Sequence, residues 1–121
     1  MTANPIQYMY TLLHIVDDGV LGPGIVAEVA ARYGYRDIVR DMVDRGATNY
    51  DVIAKIAAQY GHRNIISYLV VIDGPNLDYD YIASGARRGG YNELADEISH
   101  MRGSNTYAYD RYTSPSTTQY P

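Results

Sequence analysis

The chain has 121 residues, a formal net charge of −4 and a pI near 5.1, which is enough for one domain with a real core. That acidic balance provides no electrostatic pull toward nucleic acid or an anionic membrane. With no cysteine, a disulfide scaffold or a thiolate metal site is excluded.

The first residues carry no basic run ahead of an apolar stretch, and the longest apolar run, 68–72, falls far short of the ~20 residues of a membrane span. These features predict a soluble, cytoplasmic protein with no membrane partner. The aromatic content is one-sided: fourteen tyrosines with neither phenylalanine nor tryptophan. Tyrosine pairs an apolar ring with a polar tip, which suits half-buried margins and contact surfaces.

In chain order, Asn4-Pro5 sets a cap and a first-turn proline before an apolar segment that closes at Asp17-Asp18-Gly19. It reads as an N-terminal cap helix over residues 4–19. Beyond it, Gly19, Gly46, Gly74 and Gly103 recur at spacings of 27, 28 and 29, and Gly34, Gly61 and Gly90 interleave at 27 and 29. Two interleaved series mean one unit repeated along the chain with two turns per unit. The repeats are placed at 20–46, 47–74 and 75–103. Together with the cap helix they form one domain over 1–103, followed by a tail over 104–121.

Each repeat reads as two helices. The first helices are predicted over 25–33, 52–60 and 81–89, with small residues at Ala30/Ala31, Ala57/Ala58 and Ala86 that let neighbours lie close. The second helices are predicted over 36–44, 63–71 and 92–100. Ile38, Val39, Met42 and Val43, then Ile65, Ile66, Leu69 and Val70, fall at the helical period and form one apolar stripe. Gly46 and Gly74 stand where a left-handed residue would end these helices. Asn49 and Asp78 are expected to cap the first helices that follow. A hairpin this short cannot bury both of its faces, so neighbouring units must supply the missing core.

From 30 to 47 (paired alanine, Gly34, Ile38-Val39, Gly46-Ala47) and again from 57 to 69 (paired alanine, Gly61-His62, Ile65-Ile66, Leu69), the chain resembles the ankyrin repeat family. The family's Thr-Pro-Leu-His start is replaced by residues 25–28 and 52–55. The period of 27–29 also falls below the family's usual 33 or so. In that shortness the repeats look like the ankyrin-like repeats of large double-stranded DNA viruses. The resemblance implies an all-α helix-turn-helix solenoid of about three and a half repeats. It also implies protein binding through the repeat surface and loop tips, with no cofactor and no catalysis.

Other chemistries find little support. His14, His62 and His100 lie in separate units and no HExxH spacing exists, so no metal site is expected. Ankyrin histidines at the His62 position usually bond to backbone. Asp78 and Asp80 could be read as a metal-binding pair, yet they align with Asn49 and Asp51, where a capping role explains both. The glycine-rich stretches 19–24 and 85–90 lack a Gly-Lys-Ser/Thr and follow no strand. The tail has no Val, Ile, Leu or Met and only two charges, too little to order it by burial.

The expected activity is therefore non-enzymatic binding of a protein partner. Tyr50, Tyr79 and Tyr81 are placed at loop tips, and Tyr33, Tyr60 and His62 near the turns. Tyr107, Tyr109, Tyr112 and Tyr120 are the tail's anchors. The alternative is a structural subunit that packs with copies of itself, or into a larger, possibly virion, assembly, with the tail as a clasp.

Overall fold

A computed structural model describes Thr11, Gly19 and residues 21–101. The predicted cap helix over 4–19, apart from Thr11 and Gly19, lies outside the described residues, as do Gly103 and the tail. Among the described residues there are six helices and no strand. They are α1 (Pro23–Tyr33), α2 (Arg36–Asp44), α3 (Tyr50–Gln59), α4 (Arg63–Asp73), α5 (Tyr79–Arg88) and α6 (92–101), with a 3-10 turn, Gly74–Asn76, after α4.

The turn inside each hairpin is the same structure three times. Gly34, Gly61 and Gly90 hold φ values of +82, +77 and +88, in the left-handed region that glycine enters without a Cβ penalty. At each, two reverse hydrogen bonds close the helix end: Tyr35 N–H to Ala30 O (2.9 Å) with Gly34 N–H to Ala31 O (3.3 Å), His62 N–H to Ala57 O (2.8 Å) with Gly61 N–H to Ala58 O (3.1 Å), and Tyr91 N–H to Ala86 O (2.8 Å) with Gly90 N–H to Arg87 O (3.0 Å). These are the paired bonds of the Schellman motif, which satisfy carbonyls that a helix end leaves without partners.

The hairpins are joined sideways. α1 packs on α2 and on α3, α3 packs on α4 and on α5, and α2 touches α4. The sequence places matching small and apolar residues along these seams: Val26, Ala27 and Ala30 on α1, Ile53, Ala54 and Ala57 on α3, and Ile82, Ala83 and Ala86 on α5, all fully buried. Second-helix side chains Val39, Met42, Ile65, Ile66, Leu69, Leu94, Ala95 and Ile98 complete one continuous core. Ile38, Val43 and Val70, the outer part of the expected stripe, are only partly buried against it.

Two sequence expectations are corrected at the outer connections. Gly46 is left-handed as expected, at φ +113, but Gly74 is not: its φ of −49 continues α4 into the 3-10 turn. Pro75 explains the change, since its fixed φ suits the first turn of a tight helix. The two residues that lengthen the period from 27 to 29 lie in α4, which has 11 residues where α2 has 9, and the hairpin turn keeps its length. Asn49, expected to cap α3, makes no side-chain cap bond. Its Nδ2 instead donates back to Gly24 O (3.3 Å) and Glu28 Oε2 (2.6 Å) on α1. Asp78 does cap α5, accepting from Tyr81 N–H at 3.1 Å.

First helices also begin earlier than the periodicity suggests, at Pro23, Tyr50 and Tyr79. Tyr50, Tyr79 and Tyr81 therefore sit in helical first turns and not at loop tips. Among the described residues, no helix is long and apolar enough to cross a membrane.

Candidate interaction face

His62 and Tyr91, which follow the second and third turn glycines, each lean on the turn glycine of the preceding hairpin. A Cβ built on Gly34 would lie 2.8 Å from His62 Cε1 and Nδ1, and one on Gly61 would lie 2.9 Å from the Tyr91 ring. Glycine thus serves twice, for its left-handed φ and for the bare surface on which the next unit's ring rests. His62 Nε2 also bonds the carbonyl of Arg32 at 3.0 Å. A carbonyl only accepts, so the proton resides on Nε2. His62 is consequently a strut between hairpins.

This contact has a measurable signature. Gly34→Ala and Gly90→Ala both place Ala in the left-handed region, a strain of about 1–2 kcal/mol each. Gly90 has open space around it, whereas Gly34 faces the His62 ring. Urea denaturation is expected to show the larger loss for Gly34→Ala, and the excess should shrink when His62→Ala is present in both backgrounds.

The tyrosines named as contact residues divide by environment. Tyr33, Tyr60 and Tyr81 are 53%, 38% and 37% exposed. Tyr50 is half-buried against the core. Tyr79 is a correction: at 4% exposure it belongs to the core, where its hydroxyl donates to Gly74 O at 2.7 Å. The 3-10 turn between the second and third repeats, the one such turn among the described residues, brings that carbonyl within reach. Tyr107, Tyr109, Tyr112 and Tyr120 lie outside the described residues.

Burial, with the nearby Asp73 carboxylate, pushes the Tyr79 phenol above its ordinary value of 10.0. Burial does the same at Tyr68, aided by Asp44 and opposed by Arg40 and Arg36. A folded-state pKa above the unfolded one gives stability that is complete below pH 10 and is lost as the pH rises through the folded value. Thermal melts from neutrality to well above pH 10 should therefore show an alkaline loss of stability that is shallower in Tyr79→Phe.

The exposed tyrosines are not isolated. The Arg32 guanidinium lies 5.2 Å from the Tyr60 ring centroid and 6.0 Å from that of Tyr33, and Lys55 Nζ lies 4.6 Å from that of Tyr81. These distances suit attraction between a cation and the negative face of an aromatic ring. The Arg32–Tyr60 and Lys55–Tyr81 contacts each span two hairpins, so rings and cations alternate along the outward side of α1, α3 and α5. Periodicity located the tyrosines. Arg32 and Lys55 fall at different repeat positions, so the cations show no pattern in one dimension.

Two bonds tie first-helix carboxylates into the scaffold: Glu28 receives Asn49 Nδ2, and Asp51 Oδ1 accepts from Asp78 N–H at 3.0 Å. On the second-helix side, Arg63 pairs with Glu97, Arg40 with Asp37 (3.8 Å) and Arg45 with Asp41 (3.4 Å), while Arg87 of α5 reaches Asp96 of α6 (3.8 Å). His100 Nδ1 donates to Asp96 O at 2.8 Å, and His14 lies outside the described residues. Among the described residues, no group of three His, Cys, Asp or Glu side chains could hold a metal ion. Comparison with protein-family models, with curated proteins and with solved structures finds no match for this chain.

Proposed function

We propose that the chain is a non-enzymatic interaction module: an ankyrin-like solenoid of about three and a half repeats that binds a protein through the outward side of its first helices and the adjoining turns. The observation that carries this reading is that the exposed tyrosines of three successive hairpins stand beside the exposed Arg32 and the half-buried Lys55. Tyrosine offers a rigid, amphipathic contact surface at low entropic cost, and Tyr and Arg are the residue types over-represented at energetically dominant interface positions. Three identical hairpin turns support the solenoid reading, because stacked units present a continuous lateral surface.

A photo-activated cross-linking residue at position 60, with one at position 40 on the second-helix side as reference, tests the proposal in the cells that express the protein. Position 60 is expected to give a discrete cross-linked protein, either a different chain or a second copy, that position 40 does not. Equal labelling at both positions, or none at either, would count against the reading.

A further inference from the structure

We infer that the Tyr-rich tail, residues 104–121, docks on α4 of its own chain, with tyrosine rings laid over Val71 and Ile72. This contact lies on the second-helix side and stands apart from the protein-binding reading above.

The three second helices differ in what they turn outward. α2 exposes Arg36, Asp37, Arg40 and Asp44, and α6 exposes Glu93, Asp96 and Glu97. Between them, α4 has no charged residue from Asn64 to Ile72. Val71 is 82% exposed, the highest value of any large apolar residue among those described, and Ile72 is 40% exposed. Ser67 is exposed and Tyr68 half-buried on the same helix. In the repeat alignment Val71 stands where the flanking helices have Asp44 and His100. The core does not require it, since α4 already buries Ile65, Ile66 and Leu69.

A segment laid on this strip takes no charge out of water, whereas on α2 or α6 it would desolvate carboxylates and guanidinium groups. The tail matches the strip in being nearly neutral: Asp110 and Arg111 are its two charged residues, and Tyr107, Tyr109 and Tyr112 supply its apolar area. A tyrosine ring brings a large apolar surface at low entropic cost. The tail also begins in the right place. Arg63 of α4 pairs with Glu97 of α6, and Met101 at the end of α6 is the repeat equivalent of Ile72. Packed helices lie about 8–10 Å apart, and the six links from Met101 to Tyr107 can span about 20 Å. A strip of this size falls far short of the ~800 Å² per partner of a stable dimer. A tethered segment, at a local concentration on the order of millimolar, needs only a weak contact.

The test is limited trypsin digestion of the full chain, because Arg111 is a cleavage site inside the tail. Cleavage there tracks the undocked fraction when docking is fast. A tail docked four-fifths of the time should be cut about fivefold faster after Val71→Asp, which removes the contact. The tail variant Y107A/Y109A, which leaves the helices untouched, should show the same rise. Ser84→Asp, which adds the same charge at an exposed position on α5, should leave the rate at the parent value. Equal cleavage at Arg111 in the parent, Val71→Asp and Y107A/Y109A would overturn the inference. Protection that strengthens with protein concentration would assign the tail to a second copy and overturn it as well.

Discussion

Gly89→Ala is expected to destabilise the fold by about 2 kcal/mol, even though alanine is the better helix former by roughly 1 kcal/mol. Gly89 has φ −80 and ψ −5, a conformation open to any residue, so backbone strain plays no part. The obstacle is α3: a Cβ at Gly89 would overlap the Gln59 carbonyl oxygen and lie 2.8 Å from its carbon. A backbone carbonyl in a helix cannot swing aside as a side chain can.

The same seam has a second small residue one turn earlier. A Cβ at Gly85 would meet the Lys55 carbonyl oxygen and Lys55 Cγ, both at 2.6 Å. In the preceding repeats the two positions hold Val29 and Tyr33, then Ile56 and Tyr60. The third repeat has exchanged bulk for proximity, and α5 lies correspondingly close on α3. Gly85→Ala should destabilise less than Gly89→Ala, because part of its clash is with a flexible side chain. Melting temperature resolves the order: for a domain of this size 2 kcal/mol corresponds to a fall of roughly 10 °C. A variant that melts at or above the parent temperature would show that α5 can retreat without cost.

Ile53→Ala should cost more, about 3–4 kcal/mol. Ile53 is fully buried on α3, the helix that packs against α1, α4 and α5 together. Removing three carbons there opens a void in a helix held from three sides, which limits how far it can shift to close the gap. In a stack of units, stability is a sum of intrinsic and nearest-neighbour terms, and the middle unit enters two of the neighbour terms. Ile82→Ala, equally buried on α5, serves as the comparison. If stacking governs stability, Ile53→Ala should show the greater loss in denaturant midpoint and should broaden the transition. Equal losses would indicate one undivided core.

Much of the local structure is legible in the residues alone. The three turn glycines, the alanine pairs and the apolar stripes of the second helices repeat in sequence because each answers a requirement met within one hairpin. The left-handed turn must be glycine, and the amphipathic period follows from helix geometry. Helix starts were less legible. Tyr50 and Tyr79 carry no mark that separates a first-turn residue from a loop residue. Asn49 also satisfies every local rule for a cap, yet it bonds the preceding unit.

What the sequence by itself determined is a chain of helical hairpins with repeated closing turns, since those depend on contacts only a few residues apart. Tertiary structure alone decided which tyrosines are buried, that His62 rests on Gly34, that Gly85 and Gly89 admit the backbone of α3, and that Arg32 and Lys55 meet rings of the next hairpin. Apart from the burial of Tyr79, whose hydroxyl bonds Gly74 five positions away, these are contacts between residues some 25 to 30 positions apart. Such a contact forms only once neighbouring hairpins are placed, and the small shifts that decide it leave no trace in the pattern of either hairpin.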